Sequence, residues 1–562
     1  MLLSLSSEVK AQVAIPEYFY LSVDKPFYVA GEDLWYGLYM LNPEQRVSGI
    51  AYVELNDSDG ETVVRQRLNL GEGVVAGDLA LPASLETGYY TLRAYTRWNL
   101  GFEPLPMESR TLSIYQPVVT SRVKDEEGAG YSPKTEGLSL ELSSNRLSPR
   151  EELSVDIVAA NGHAGVLSMS VVHEEVATRD YDVAARYDEV SSPARYVRKS
   201  GNFEPEEQFT QTFELKDPNG DPISSSFIVG FIRQSQTPIQ GTAKDGRVTL
   251  SFSEVYDSTV IQLFDANPFK QAYLPQVRAL DLPVIAPPAP VYEERPPFTP
   301  NVEQYIRKHQ QRYQLGRLLR IEEEQEPMRT PLVRRELKPD LEFPITDFIP
   351  MESLEDFANQ AVPPLQVKPF RTRSKKEPRV MGMDDPSKSL HLFVPHRNVQ
   401  TQSIFETRPP LLMVNGYLTY DLKAVLRMDW DGVEQLDIYN NLSRLPYMFG
   451  PIGNFGVVAF QTRDEQTPRA IRNAPNNVHI QGYYRGRTFE PVRTDVVSED
   501  GSRLPDFRSV IAWKPLIPMA SEGIESLTLA VGDQTGRYLV RVEGMLDDGT
   551  PVIAEQWIEV SH

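Results

Sequence analysis

Between residues 14 and 117 the apolar positions fall in short alternating runs: YFYLSV (18–23), DLWYGLYML (33–41), GIAYVEL (49–55), TVVRQRL (62–68), GDLALP (77–82) and YYTLRAYT (89–96). Turn signals at Asp59-Gly60 and Thr87-Gly88 separate them. Alternation with period 2, broken at roughly 8 to 12 residue spacing, predicts an antiparallel β-sandwich. The same logic recurs in LSLEL, LSVDIVA and GVLSMSVV between Gly137 and Glu174. After an irregular charged stretch from Ala177 to Glu207, strands resume at FTQTFEL, with a turn at Asp217-Pro218-Asn219-Gly220, and continue through SSFIVGFI, RVTLSF and STVIQLF. Two or three sandwiches therefore fill the first half of the chain.

The pattern then changes. Asp281 to Pro300 holds seven prolines in twenty residues, which predicts an extended linker of polyproline character. Val302 to Glu324 is the best helix candidate, with Tyr305, Tyr313, Leu315, Leu318, Leu319 and Ile321 as its apolar positions. Its bases lie in the middle and its acids at the end, an order that opposes the helix dipole, so this helix needs a surface to dock on. Lys368, Arg371, Arg373, Lys375, Lys376 and Arg379 form a local basic cluster. A solvated linker or exposed strand is its simpler reading; Lys375 and Lys376 are the members that would meet an anionic partner. From Leu411 to Thr462 the chain reads strand, helix, strand, glycine-rich turn, strand, the one β/α module. Val478 to Val560 returns to the β pattern.

Composition adds bounds. A chain of 562 residues exceeds a single hydrophobic core, so three to five domains are expected. The 45 prolines against 34 glycines favour strand ends and linkers over long helices. A formal charge of −21, with acids spread along the chain, argues against nucleic-acid binding. With no cysteine there is no disulfide, thiol nucleophile or thiolate metal site. Residues 1–12 (MLLSLSSEVKAQ) read as the remnant of a cleavable signal peptide whose basic start is missing. No stretch approaches the roughly 18 apolar residues of a membrane-spanning helix.

Three stretches carry a family resemblance. Leu21–Leu41 resembles the opening of an MG2 macroglobulin domain through Asp24, Lys25, Pro26, Tyr28, Gly31, Glu32 and Trp35. Pro410–Thr462 resembles a shortened plug of TonB-dependent receptors, with its turn at Val414-Asn415-Gly416 and its glycine loop at Gly450, Gly453 and Gly456. Leu504–Pro515 and the closing GRYLVRVEGMLDDGT are similar to a final immunoglobulin-like domain. Together they resemble exported Bacteroidota-type proteins, and residues 217–264 are similar to carboxypeptidase-regulatory-like sandwiches. The fold this implies is mainly β: several immunoglobulin- or macroglobulin-like sandwiches in tandem plus one small α+β plug-like module. The expected divisions are an MG2-like sandwich at 14–117, a second sandwich with an irregular insertion at 136–207, a carboxypeptidase-regulatory-like or immunoglobulin-like sandwich at 208–280, and a Pro-rich linker with helix and basic segment at 281–400. The plug-like module follows at 401–465 and a C-terminal immunoglobulin-like sandwich at 470–562. No barrel accompanies the plug, since the residues after Thr462 lack paired lipid-facing strands.

The chemistry-bearing residues do not converge. The histidines form no helical metal pair, and His391 and His396 lie five residues apart across a proline. The Gly450–Gly456 turn has no helix N-terminus behind it to hold an anion. Tyr18, Phe19, Tyr20, Trp35, Tyr36 and Tyr39 exceed what one sandwich face must bury, so both faces are expected to be covered, by packing within the chain or by a partner. The resemblance implies a non-enzymatic envelope scaffold or adaptor without cofactor or metal, exported and associated with the outer membrane, docking onto a barrel protein or complex. The contacts it implies are Val414, Asn415, Gly416, Tyr417, Gly450, Gly453, Phe455 and Gly456, with Lys375 and Lys376. A surface carbohydrate- or peptide-binding protein is the alternative.

Overall fold

The computed structural model describes residues 15–41, 43–118, 133–159, 165–177, 196–199, 201, 203–223, 226–266, 274–280, 289–318, 335–369, 388–394, 409–490, 492, 505–519, 524–546 and 550–562. The chain divides into two compact units. One takes residues 1–207, 284–330 and 484–562, and the other takes 208–283 and 331–483. Both are built mainly from sandwiched β-sheets.

In the first unit, one sandwich pairs two sheets. The smaller runs Phe19–Val23, Asp33–Met40, Val74–Ala80; the larger runs Phe27–Val29, Glu108–Tyr115, Gly88–Tyr95, Ile50–Asn56, Thr62–Asn69. Alternate residues of both sheets, among them Leu21, Tyr36, Leu38, Val53, Leu55, Leu92 and Ile114, meet in one core. This is the inward set that period 2 selects.

The second sandwich corrects the expected divisions. Glu152–Ala159 lies between Leu138–Leu142 and Ile524–Ala530, while Gly165–His173 lies between Gly536–Leu546 and Val510–Met519. The strands of 138–173 and 510–560, expected in separate sandwiches at 136–207 and 470–562, therefore form one, with a common core that includes Leu153, Val155, Leu167, Val171, Val540, Val542 and Ile558, while Asn477–Gln481 belongs to the second unit. The physical reason lies in strand number. The earlier segment supplies too few strands to cover both faces of a core, so it completes itself with strands some 370 residues away in sequence, as in Ser168↔Glu543. Alternation fixes which face a residue takes and leaves its strand's partner open.

The surplus aromatics of the first sandwich are covered from within the chain. Tyr20 and Tyr39 join Ile553 of the second sandwich in a small buried cluster, and the Tyr39 hydroxyl donates to the Pro515 carbonyl. Trp35 meets Phe489 edge-on at 5.3 Å, and the Arg487 guanidinium lies 5.3 Å from the Trp35 ring centre. Arg487 also bridges Asp33 and Asp78 of the two strands beneath it.

The helix Pro300–Leu318 docks on both sandwiches. Val302, Tyr305 and Ile306, spaced i, i+3, i+4, enter an apolar cluster formed by Phe27, Val29 and Tyr115 of one sandwich and Val172, Val510 and Leu539 of the other. Its polar side chains complete the junction. The Lys25 ammonium donates to Glu32 Oε2 at 2.7 Å and to the Tyr305 hydroxyl at 2.9 Å, and that hydroxyl donates to Glu32 Oε1 at 2.5 Å. His309 Nδ1 lies 3.1 Å from the same Oε1. On the other side, Lys308 and Arg312 reach Glu175 at 2.6 and 2.5 Å, and Arg312 continues to Gln534 at 2.9 Å. Burial alone would raise the Glu32 carboxyl, but Lys25 and His309 outweigh it and hold the group well below the usual range. Burial would likewise raise Glu175, and His173, Arg312 and Lys308 bring it down to about 2. The docking surface demanded by the helix's unfavourable charge order is thus supplied by two buried carboxylates.

The second unit joins another sandwich to the α+β module. The sandwich sheets run Arg247–Phe252, Phe209–Lys216, Gln276–Leu280 and Thr237–Ala243, Ser226–Ile232, Ser258–Asp265, Asn477–Gln481. The module's five-stranded sheet runs Leu341–Pro344, Val433–Tyr439, Val457–Thr462, Leu411–Val414, Tyr417–Thr419. Much of the stretch expected as linker is built into this module. Leu354–Gln360 is a helix whose Ser353 cap accepts from the Asp356 amide, and Leu365–Pro369 pairs with Lys388–Leu392. Leu354, Phe357, Leu365, Val367, Leu390 and Leu392 share a core with Leu436 and Phe460 of the sheet. Proline content pointed to a linker, whereas the helical and alternating apolar spacing between the prolines decides the fold.

A chain ending at residue 504 loses the strands on both sides of Gly165–His173, so the amides of 152–173 lose their hydrogen-exchange protection while those of 19–115 keep theirs. Glu32→Gln leaves the Lys25 ammonium buried without its counter-charge and costs about 3–5 kcal/mol in urea unfolding. Acid acts through Glu175: its folded-state carboxyl titrates at about 2 against an ordinary 4.5. Its contribution is therefore complete above pH 4.5 and disappears as pH falls from there towards 2. Exchange protection of residues 302–312 followed through that window checks this, and Glu175→Gln flattens it.

Candidate partner-docking surface

The turn between Leu411–Val414 and Tyr417–Thr419 has two left-handed residues, Asn415 (φ 48°) and Gly416 (φ 81°), the conformation for which an Asn-Gly pair is suited. Asn415 occupies all its polar atoms internally. Its Oδ1 accepts from the Thr462 amide at 3.0 Å, and its Nδ2 donates to the hydroxyls of Thr462 and Thr467 at 2.8 and 3.1 Å. An aspartate at this position could not donate those last two bonds. Val414 is fully buried, and Tyr417 lies beneath Arg233 of the neighbouring sandwich, whose guanidinium is 4.6 Å from its ring centre. Arg233 also donates to the Asn415 carbonyl at 3.3 Å and pairs with Glu465 at 2.8 Å.

The glycine loop is equally committed. Gly450 (φ 65°) packs against Val229 and Pro238. At Gly456 (φ 87°) a Cβ would run into the Leu392 side chain, and at Gly453 into that of Phe449. Phe455 is half-buried. Turn and loop come together on one side of the module, against the sandwich strands Ser226–Ile232 and Thr237–Ala243. There Val229, Phe231 and Phe264 meet Met413, Leu418, Tyr439 and Phe449. Gln262 seals the contact by accepting from the Leu418 amide at 2.6 Å and donating to its carbonyl at 3.0 Å. Lys375 and Lys376 lie outside the described residues.

On the rim of this seam, and on the segment packed against the sheet's opposite face, the module exposes residues that no motif marks. Tyr447 is 75% exposed, with the Arg335 guanidinium 4.1 Å from its ring centre and bonded to its carbonyl at 3.2 Å. Arg444, one turn earlier, pairs with Asp340 at 2.7 Å, and the other oxygen of Asp340 accepts from the amides of Asn440 and Asn441. Asp340 thereby ties the Tyr447 helix to the start of the strand Leu341–Pro344. Leu341 is 40% and Ile349 82% exposed. Phe343, Phe348, Phe357 and Trp430 form a chain of ring contacts in the module's core, each step 5.1–6.3 Å. Tyr and Arg presented together on a rigid support form the pattern enriched at binding hot spots. The readable signal was the run Phe348-Ile349-Pro350 between acids, too polar in its surroundings for a core segment.

No cluster of three His, Asp or Glu side chains able to hold a metal occurs among the described residues. His391 bonds the Ser389 hydroxyl through Nε2 at 2.8 Å, and His396 lies outside the described residues. No helix of the described residues is long and apolar enough to cross a membrane.

The fold defines a protein of β-sandwiches with one α+β module. No protein-family description matches the chain, and no curated protein matches it. Solved structures similar to it include Escherichia coli alpha-2-macroglobulin activated by porcine elastase, at 9% identity over 97% of this chain and 44% of that one, with a TM-score of 0.24. Salmonella alpha-2-macroglobulin reacted with methylamine matches at 11% identity over 100% of this chain and 40% of that one, TM-score 0.24. The Escherichia coli adhesin FdeC matches at 14% identity over 47% of this chain and 96% of that one, TM-score 0.13. The chain spans less than half the length of the macroglobulins it matches, and superpositions this loose assign no residue a role.

Gly456→Ala forces an L side chain into a left-handed backbone and into Leu392, which costs about 2–4 kcal/mol by denaturant unfolding of the second unit. Asn415→Ala removes three internal bonds at a half-buried site and costs about 1–3 kcal/mol in the same measurement. Tyr447→Ala, at an exposed ring, stays within about 0.5 kcal/mol.

Proposed function

We propose that the chain is a non-enzymatic scaffold or adaptor of the cell envelope that docks onto an outer-membrane barrel protein through its α+β module. The observation that carries this reading is the division of labour within the module. The turn and glycine loop that resemble a receptor plug are consumed in packing against the adjoining sandwich, while Tyr447, Arg335, Leu341 and Ile349 face outward. A partner that meets the module at Leu341 and Ile349, on the segment packed against the face of the sheet opposite the seam, or at Tyr447 on the rim of the seam, leaves the seam intact. Two sandwiches clamped by a helix supply the rigid body an adaptor needs. Export and association with the outer membrane belong to the same proposal, supported by the resemblance of Leu21–Leu41 and Pro410–Thr462 to exported proteins.

Affinity capture of the tagged chain from detergent-solubilised envelopes of its native host tests the reading. The expected outcome is a β-barrel membrane protein in stoichiometric amount, reduced at least about tenfold by Tyr447→Ala combined with Ile349→Asp, a loss typical of hot-spot truncation. Recovery of the chain alone, or of a barrel insensitive to both substitutions, rejects it.

A further inference from the structure

The free edges of the sheets differ in how they are guarded. An exposed edge strand offers unpaired N–H and C=O groups to any other strand, and proteins blunt such edges with prolines, inward charges, short length or a covering segment. Thr62–Asn69 carries Arg65 and Arg67. Val74–Ala80 is covered by the segment containing Arg487, whose amide donates to Asp78 at 2.8 Å. Val510–Met519 contains Pro515 and Pro518, and Thr237–Ala243 contains Pro238. Gln276–Leu280 carries Arg278, and Leu341–Pro344 is four residues long and ends in proline. Ile524–Ala530 has none of these devices. It is seven residues long, IESLTLA, without proline, lysine or arginine. It pairs through all seven with Glu152–Val158, in a regular antiparallel register without a bulge. Among the described residues no strand pairs with its other side.

We propose that this edge pairs with the same edge of a second copy of the chain, joining two three-stranded sheets into one of six strands. The occupant follows from the strand's self-complementarity. In the antiparallel register that uses all seven residues, Leu527 sits on the two-fold axis opposite the partner's Leu527. Ile524 then faces the partner's Ala530, Glu525 the partner's Leu529, and Ser526 the partner's Thr528. Each cross-strand pair on the solvent side joins apolar to apolar or hydroxyl to hydroxyl, pairs that favour sheet formation. The one charged residue meets a leucine, so no like charges oppose. Ile524, 59% exposed in the single chain, gains a cover, and Leu527, half-buried at the rim of the core, gains a second leucine. A seven-residue edge buries well under the ~1,000 Å² of a persistent interface, so the dimer is weak and concentration-dependent.

Sedimentation equilibrium of the full chain from about 1 µM to about 1 mM, the range in which an interface below standard size associates, reads the assembly. The expected result is a monomer that converts to dimer across that range, with Ser526→Lys or Thr528→Lys weakening association at least about tenfold while leaving the melting temperature unchanged. Because the chain has no cysteine, a single introduced thiol reports the register. Leu527→Cys forms a covalent dimer on mild oxidation, since paired strand positions across the axis fall within disulfide reach. Ile524→Cys, six residues from its own copy in this register, does not. A monomer throughout, a dimer indifferent to the lysine substitutions, or cross-linking through Ile524→Cys as readily as through Leu527→Cys overturns the proposal.

Discussion

The first unit depends on one buried exchange of charge: Glu32 holds Lys25 and Tyr305 at once. An ion pair inside a protein gains little net energy, because desolvating both ions offsets their attraction, and its value lies in what it forbids. Lys25 and Glu32 have side chains only 6% and 10% exposed, so neither charge tolerates the loss of the other. Tyr305 is the third member of that pair. A helix shifted by one residue would swing its hydroxyl away from the pair and leave Glu32 with one donor fewer, so the network fixes the helix's rotation as well as its position. One turn on, Lys308 and Arg312 meet Glu175 from the other sandwich. The two carboxylates make a single helix face satisfy two separate domains, which apolar contact alone would specify less sharply.

That arrangement is also a solution to chain order. Residues 284–330 belong to the first unit while the residues before and after them belong to the second, and the chain returns at 484 to finish the sandwich begun at 138. A sandwich whose central strand, Gly165–His173, is flanked on both sides by Val510–Met519 and Gly536–Leu546 cannot close until those strands are made. Its contacts are among the most non-local a chain of this length can make, and such contacts form late because loop closure precedes their reward. The helix and the strand Phe27–Val29 meet on the same cluster, so completing the second sandwich, through Val510 and Leu539, also completes the helix's docking site.

What the sequence shows of this follows from the range of each interaction. The strands of 14–117 were readable because both sheets of that sandwich come from neighbouring runs, so alternation and turns suffice. Asp24, Lys25, Tyr28 and Glu32 were readable as a motif, yet Tyr305 as their partner was not: nothing local in VEQYIRKH says which carboxylate its hydroxyl will meet 273 residues away. The shared sandwich escaped for the same reason, since a strand's pattern names a face and leaves its neighbour unnamed. In the stretch from 335 to 394, proline frequency outweighed the spacing of Leu354, Phe357, Leu365 and Val367, and the spacing is what folding obeys. The candidate site was half legible. Asn415-Gly416 and Gly450–Gly456 were found because unusual backbone leaves a compositional mark, but that mark reports conformation and says nothing about exposure.

That last distinction decides how the module should be understood. Glycine and asparagine at left-handed positions are demanded wherever a backbone turns tightly, whether the turn faces solvent or a neighbouring domain. Here they face a neighbour: Gly416 lies against Arg233 and Gly450 against Val229, so the features that make the segment resemble a receptor plug are those that hold it to its own sandwich. The rest of the module is held by other means: Asp340 fixes the Tyr447 helix, and the Phe343–Phe348–Phe357–Trp430 rings pack on the sheet's other face. The turn and the glycine loop are thus the foundation of the module, and the exposed side chains Tyr447, Leu341 and Ile349 are none of those residues.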